Sequence, residues 1–298
     1  MTRQLPPTAR PERIRNAVAP DVPFLPENTF ANDVVLVTGG TSGMGLGMAH
    51  AFARSGARLV LVGRSEERGR AAVSGLEQSG TKATYVSADV RNAAAVANAF
   101  DVAERVFGAV TILANNAGAN FPVLAEQIST NAWNAVSRIA IDGTFFASTE
   151  LARRAIGQGH AAAIVNNSAQ YIWTGFPADA HSAAAKTAVA TMTRSFARQW
   201  RSKNIRVNCV AAGFFPHDAT LAGADPERVA RIARMIPAGR CGEMPEFGRA
   251  AAFLCSPFAR AITGQVLMID GGESLRRSLI SPDFVPPNAR ADLWGYGP

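Results

Sequence analysis

Residues 38–47 read Thr-Gly-Gly-Thr-Ser-Gly-Met-Gly-Leu-Gly, directly after an apolar β-rich run and directly before a helical stretch. Gly39, Gly43 and Gly45, with Thr41, Ser42 and Met44 between them, let the backbone turn tightly and approach a pyrophosphate, whose charge then meets the free N–H groups of the helix N-terminus. A flexible linker can also be glycine-rich, but the position between a first strand and a helix makes this loop a dinucleotide-site candidate. The next β-rich run ends Gly63-Arg64-Ser65. An NAD-specific site places an acid there for the ribose 2′-hydroxyl, and this chain has none. Arg64 and Ser65 suit a 2′-phosphate instead, which points to NADP(H); the plainer reading of Arg64 is a solvated turn residue. The third run ends Ala88-Asp89-Val90, where Asp89 can accept a bond from an adenine amino group or simply cap a helix.

For such residues to meet, strands and helices must alternate so that the strand ends share one edge. Strands are expected at Val34–Thr38, Arg58–Gly63, Ala83–Ala88, Val110–Ala114, Ala163–Asn167, Arg206–Val210 and Val266–Ile269, with helices between most successive pairs. Near-continuous apolar runs such as Val34-Val-Leu-Val37 belong to parallel strands buried on both faces. The expected fold is therefore α/β, a doubly wound parallel sheet of about seven strands with helices on both faces, in one domain over residues 31–275. Residues 1–30, with prolines at 6, 7, 11, 20, 23 and 26, are expected as an extended Pro/Arg-rich arm, and residues 276–298 as a C-terminal tail able to pack on a neighbouring subunit. Residues 212–245, with Phe214-Phe215-Pro216-His217, read either as a substrate lid or wall or as extra packing structure.

The 298-residue chain is 48% hydrophobic and 18% charged, a composition that excludes a disordered chain. Its 30 Lys+Arg against 23 Asp+Glu give +7, and the only lysines are Lys82, Lys186 and Lys203, so the positive charge is mostly arginine and suits phosphate groups. No basic run of about 5–8 residues marks a nucleic-acid patch, and no apolar run reaches the roughly 18 residues of a membrane span. Cys209, Cys241 and Cys255 lie too far apart for a disulfide framework or a metal site. The expectation is a cytoplasmic protein that binds a polyphosphate small molecule, with no metal, nucleic acid or membrane.

At the end of the fourth strand stands Asn115-Asn116-Ala117-Gly118. Together with the loop at 38–47, Ile205-Arg206-Val207-Asn208, and Ile262-Thr263-Gly264-Gln265 leading to Asp270-Gly271-Gly272, it resembles the short-chain dehydrogenase/reductase family from about Asp33 to Gly272. The resemblance implies a Rossmann-like fold, nicotinamide chemistry and a homotetramer or homodimer. It also implies cofactor contacts from Asp89, Val90, Asn116, Ala117 and Gly118, and from Gly213 and Phe214 in a loop where Ala212-Gly213 replaces the usual Pro-Gly. Most members carry Tyr-x-x-x-Lys, whose lysine holds the nicotinamide ribose and lowers the pKa of a tyrosine that protonates a carbonyl oxygen. Lys186 stands on the expected alanine-rich helix, but Ser182 occupies the tyrosine position, and Ala169 and Ala140 occupy the usual serine and asparagine positions.

Of the three tyrosines, Tyr85 lies inside the third strand and Tyr296 beside the C-terminus, whereas Tyr171 follows the fifth strand at the carboxyl edge of the sheet. A tyrosine fifteen positions before the lysine, a serine four before it and Asn120 in Gly118-Ala119-Asn120-Phe121 resemble the 2,4-dienoyl-CoA reductase branch of the family. That likeness implies a catalytic set of Tyr171, Asn120, Lys186 and Ser182: the first two hold the thioester oxygen, and the other two position NADPH. It implies reduction of a conjugated enoyl or dienoyl thioester such as an acyl-CoA. Two other readings stay open, a reductase or dehydrogenase of another carbonyl, alcohol or conjugated metabolite with Tyr171 as a displaced acid, and a catalytically silent NADP-binding scaffold. Tyr171 also reads as packing beside Trp173 and Phe176, Asn120 as a turn residue, and Ser182 as a helix-start residue without a ligand. His181 and His217 receive no role.

Overall fold

In a computed structural model of the chain, residues 24–217 and 226–275 are described. Seven strands form one sheet in the order β3-β2-β1-β4-β5-β6-β7. They are β1 (Val34–Thr38), β2 (Arg58–Gly63), β3 (Ala83–Ser87), β4 (Ile112–Asn115), β5 (Ala162–Ala169), β6 (Ile205–Ala212) and β7 (Val266–Ile269), and every pairing is parallel. The described helices are α1 (Gly43–Ala53), α2 (Glu66–Gln78), α3 (Ala93–Phe107), α4 (Thr130–Ser137), α5 (Gly143–Gln158), α6 (Ala180–Trp200), α7 (Pro226–Met235) and α8 (Met244–Cys255). The doubly wound α/β architecture expected from the alternation is the one observed. Strand order reverses between β1 and β4, and the crevice outside their carboxyl ends is where open α/β sheets bind ligands.

The period of two along each strand divides the core. Val35 and Val37 of β1 face Met48 and Phe52 of α1 and Phe247 of α8, while Val34 and Leu36 face Phe100 of α3, Leu151 of α5 and Trp200 of α6. All these side chains are buried, so the sheet is covered on both faces as its apolar runs require. Strands β5 and β6 run longer than expected. Their register continues from Ala162↔Ile205 to Ala169↔Ala212, because Ser168, Ala169, Ala211 and Ala212 are small enough to stay buried beside the helices. Strand β4 starts two residues later than expected, since its pairing with β1 begins at Val35↔Ile112.

Residues 24–30 differ from the expected extended arm. They turn through Pro26–Phe30 and bury Leu25 and Phe30, the latter edge-on to Phe52 at 5.1 Å between ring centroids. Burying these apolar side chains against Phe52 of α1 gains more than leaving them extended in solvent. The rest of the arm, the tail after Leu275 and residues 218–225 of the 212–245 segment lie outside the described residues. Within that segment, residues 212–217 leave β6 and α7 follows, opened by the Pro226-Glu227 pair seen in the sequence. Among the described residues no helix is long and apolar enough to cross a membrane, and no group of His, Cys, Asp and Glu could hold a metal ion.

Helices α1 and α8 approach closely through glycine. A Cβ placed on Gly248 would lie 2.3 Å from the Gly47 carbonyl oxygen, so any side chain there must push the two backbones apart. The substitution G248A is expected to lower stability by roughly 1–3 kcal/mol, read as a shift in the urea midpoint.

Candidate active site

The loop after β1 forms the floor of the crevice. Gly39 has φ +63° and donates its N–H to the Val62 carbonyl at 2.8 Å, and a Cβ there would crowd Ala117 Cα and Asn116 Nδ2 at 3.0 Å. Gly45 is tighter, since a Cβ would fall 2.1 Å from the Gly39 carbonyl oxygen. These two positions therefore bring the loop and the first turn of α1 against each other. Ser42 is the N-cap of α1 but its side chain makes no capping bond, which leaves the first-turn amides of Gly43, Met44 and Gly45 for an anion. Thr41 packs across Gly63 at the end of β2. A cradle that side chains would fill, ending in a helix N-terminus without a side-chain cap, fits the diphosphate of a dinucleotide.

The neighbouring strand ends carry the other expected contacts. Arg64 is exposed beside the crevice, and Ser65 caps α2 by accepting from the Arg68 N–H at 3.4 Å. Asp89 does not take the capping role offered above. Asn92, not Asp89, caps α3, and the Asp89 carboxylate is held by the Arg91 guanidinium, which together with Arg64 lowers its pKa to about 2. Val90 is buried against Gly143 at the start of α5. Thr38 Oγ1 accepts from the backbone N–H groups of Asn116 and Ala117 at 3.1 and 3.2 Å, which bends the chain after β4 over the glycine loop. Gly118 follows, with open backbone facing Lys186 Nζ. After β6, Gly213 donates to the Ile269 carbonyl and Phe214 accepts from Gly242, so this loop is tied down without the usual proline.

Lys186 lies on α6 beneath these strand ends. Its Nζ donates to the Asn167 carbonyl at 2.8 Å, and desolvation of the half-buried ammonium lowers its pKa to about 8. One turn earlier, Ser182 Oγ and Tyr171 Oη are 2.9 Å apart and hydrogen-bonded. Tyr171 comes from the short helical turn Gln170–Ile172 that ends β5, and its ring packs on Phe176 at 5.8 Å between centroids. Burial raises the phenol pKa, so the hydroxyl stays a neutral donor. Asn120 projects from the loop after β4 and is exposed. Both Tyr171 and Asn120 lie beside one carboxyl group, that of Asp179. The structure thus brings Tyr171, Ser182, Lys186 and Asn120 to one end of α6.

Ala140 sits in a π-helical turn, Arg138–Asp142, between α4 and α5, and is buried with Val136 and Ala185. Ser168, next to Ala169, spends its hydroxyl on the Lys186 backbone carbonyl at 3.0 Å. Asp179 escapes the sequence reading, and His181 receives no role in it. Asp179 and His181 are both buried in this cluster, and no motif announces them. A usable signal was the Asp directly before the alanine-rich helix, a position normally read only as a cap. His217 lies over Gly43 of the phosphate loop, where a Cβ would meet its ring at 3.4 Å.

The chain is similar to known proteins over most of its length. A family model described as Enoyl-(Acyl carrier protein) reductase matches residues 39–274. A probable 2,4-dienoyl-CoA reductase of Bacillus subtilis is 36% identical over 247 residues, spanning 81% of this chain and 96% of the relative. Gluconate 5-dehydrogenase of Gluconobacter oxydans is 36% identical over 238 residues, spanning 80% of this chain and 93% of the relative. Among solved structures, a short chain dehydrogenase from Bacillus anthracis superposes with a TM-score of 0.77 at 38% identity, covering 83% of this chain and 98% of that one.

The burial of Lys186 has a measurable signature. Between about pH 8 and 10.5 the unfolded chain keeps a proton that the folded chain has released, so stability rises with pH across that window. The substitution K186M is expected to raise the stability of the cofactor-free protein at pH 7 by roughly 1–3 kcal/mol and to flatten that rise, as read by urea unfolding at several pH values.

Proposed function

This chain belongs to the short-chain dehydrogenase/reductase family of NAD(P)-dependent oxidoreductases, and from that premise we propose that it reduces conjugated enoyl or dienoyl thioesters with NADPH. The observation that carries the reading is the Tyr171–Ser182 hydrogen bond, which puts a half-buried phenol beside the position where most members keep their proton-donating tyrosine. Reduction of a ketone needs an acid that gives its proton to oxygen. Burial raises the Tyr171 pKa, which favours holding the proton and donating only a hydrogen bond.

When bound, NADPH supplies a hydride. Reduction of a conjugated thioester at its far carbon sends negative charge to the thioester oxygen. Tyr171 Oη and the Asn120 amide are neutral donors suited to that oxygen, and each such donor is worth about 3 kcal/mol in the transition state. Ser182 fixes the direction of the phenol. Lys186, anchored on Asn167, is placed to hold the nicotinamide ribose, and the first turn of α1 the diphosphate. Arg64 and Ser65, with no acid at the end of β2, support a 2′-phosphate and so NADP(H) over NAD(H). A cavity of about 390 Å³ lined by Ala125, Ile128, Trp133 and Ala180 adjoins the start of α6 and suits an acyl chain. The exposed Phe145 and Ile156 on α5 support a homo-oligomer, and three unpaired cysteines support a reducing compartment such as the cytoplasm.

A second reading, reduction or oxidation of a free carbonyl or alcohol with Tyr171 as the acid, draws support from the equal identity of the gluconate dehydrogenase. Consumption of NADPH with a 2,4-dienoyl-CoA, beside an unconjugated ketone, separates the two. Turnover of the dienoyl thioester alone is expected, and turnover of the ketone alone contradicts the proposal. The substitution Y171F is expected to lower kcat by about 10²–10³-fold with NADPH affinity unchanged. R64A is expected to weaken NADPH binding about tenfold and leave NADH binding as it was, measured by fluorescence titration.

A further inference from the structure

Every hydride added to a substrate carbon must be matched by a proton at oxygen or at another carbon, and neither Tyr171 nor Asn120 is suited to deliver one to carbon. Asp179 stands next to both. It is the N-cap of α6, yet its side chain makes no capping bond and its Oδ1 is buried without a hydrogen-bond partner. The carboxyl is turned away from the helix end it would ordinarily serve and toward the Asn120 amide. The backbone is held that way: Ala178 adopts φ +66°, a conformation L-residues avoid, and its carbonyl accepts from the Val123 N–H at 2.8 Å, which ties the Asn120 loop to the Asp179 loop. Behind it, His181 is fully buried, edge-on to Phe121 at 4.9 Å, with neither ring nitrogen partnered. A buried carboxyl with an unmet oxygen and a buried imidazole with two unmet nitrogens, at the end of one helix, form an assembly that packing does not require.

We propose that Asp179 and His181 are the proton-delivery pair of this site, with Asp179 the acid that protonates carbon and His181 the group that restores its proton. The proposal rests on the conjugate-reduction reading. Hydride addition leaves an electron pair shared between the thioester oxygen and the carbon next to the carbonyl. The Asp179 O–H bond breaks, its proton forms a C–H bond at that carbon, and the carbonyl re-forms. Asp179 is left as a carboxylate and takes a proton through His181 from solvent. In this arrangement Asp179, partnered by the Asn120 amide that would hold the oxygen, would flank that carbon. The charged and titratable groups facing Asp179 are Tyr171 from the loop after β5 and His181 on its own helix. Asn120 adds no charge, and Lys186 is engaged with Asn167. Burial favours the protonated carboxyl, while His181 and Asn120 pull the other way. Turnover that needs this proton falls as pH rises through the pKa of Asp179, which burial raises.

The full chain is tested with NADPH and a 2,4-dienoyl-CoA in D₂O. Deuterium is expected at the carbon next to the carbonyl. D179N is expected to lower kcat by about 10²-fold or more and to lose the alkaline fall of the wild-type profile, with NADPH affinity unchanged, whereas D179E restores part of the rate. Turnover of D179N close to wild type, or deuterium only at another carbon, overturns the proposal. H181Q, which leaves the carboxyl in place, is expected to slow proton return and so enlarge the solvent isotope effect on kcat; no change overturns the role of His181. If the wild-type protein does not turn over the thioester, the functional reading fails, and infrared spectroscopy of the cofactor-free protein then decides the pair. The C=O stretch of a protonated carboxyl, present above the ordinary aspartate range and absent from D179N, supports it. Its absence overturns it.

Discussion

One chain of hydrogen bonds runs across the carboxyl ends of β1, β4 and β5 and holds the crevice together. Asn116 Nδ2 donates to the Gly39 carbonyl at 3.1 Å, Asn167 Nδ2 donates to Asn116 Oδ1 at 2.9 Å, and Lys186 Nζ donates to the Asn167 carbonyl at 2.8 Å. Each link joins a different strand end, so the glycine loop, the bend after β4 and the helix carrying the lysine move as one unit. A buried lysine is expensive in isolation, and its depressed pKa records that burial. Here the cation is carried at the one place where a ligand with hydroxyls and phosphates restores the lost solvation.

A second buried polar set supports the first from below. Asn115 Nδ2 donates to Ser148 Oγ and to Asn166 Oδ1, and Asn166 Nδ2 reaches Thr193 Oγ1, joining β4 and β5 to α5 and α6. Such groups are costly in a core when unpaired, and these pairings fix the helices in angle as well as distance. Helix α6 is the lever. Its buried stripe, including Ala185, Val189 and Phe196, sets the rotation that puts Lys186, Ser182 and Asp179 at one end of the site.

The sheet was legible because buried parallel strands have nearly continuous apolar runs, and three of the seven expected ranges, those of β1, β2 and β7, coincide with the observed strands. The glycine loop was legible for a related reason: Gly39 and Gly45 have neighbours that leave no room for a Cβ. Other features depend on contacts between distant segments. Nothing local shows that Leu25 and Phe30 would close onto α1, or that Asp179 would turn from its helix toward Asn120. Side-chain direction at a loop is decided by what packs against it, and spacing along the chain carries no record of that.

The displaced tyrosine is where local pattern and chemistry part. Ser182 holds the position of the usual acid and uses its hydroxyl on Tyr171, so the site keeps a donor while losing the tyrosine that a nearby lysine would acidify. A donor without an acid is consistent with charge that arrives on oxygen and leaves through carbon. The most direct test follows the hydride. With NADPH deuterated at the transferring position and a 2,4-dienoyl-CoA, the label is predicted at the fifth carbon of the acyl chain, with the thioester carbonyl intact. Label at a carbonyl carbon, or its transfer only to an unconjugated ketone, would contradict the account.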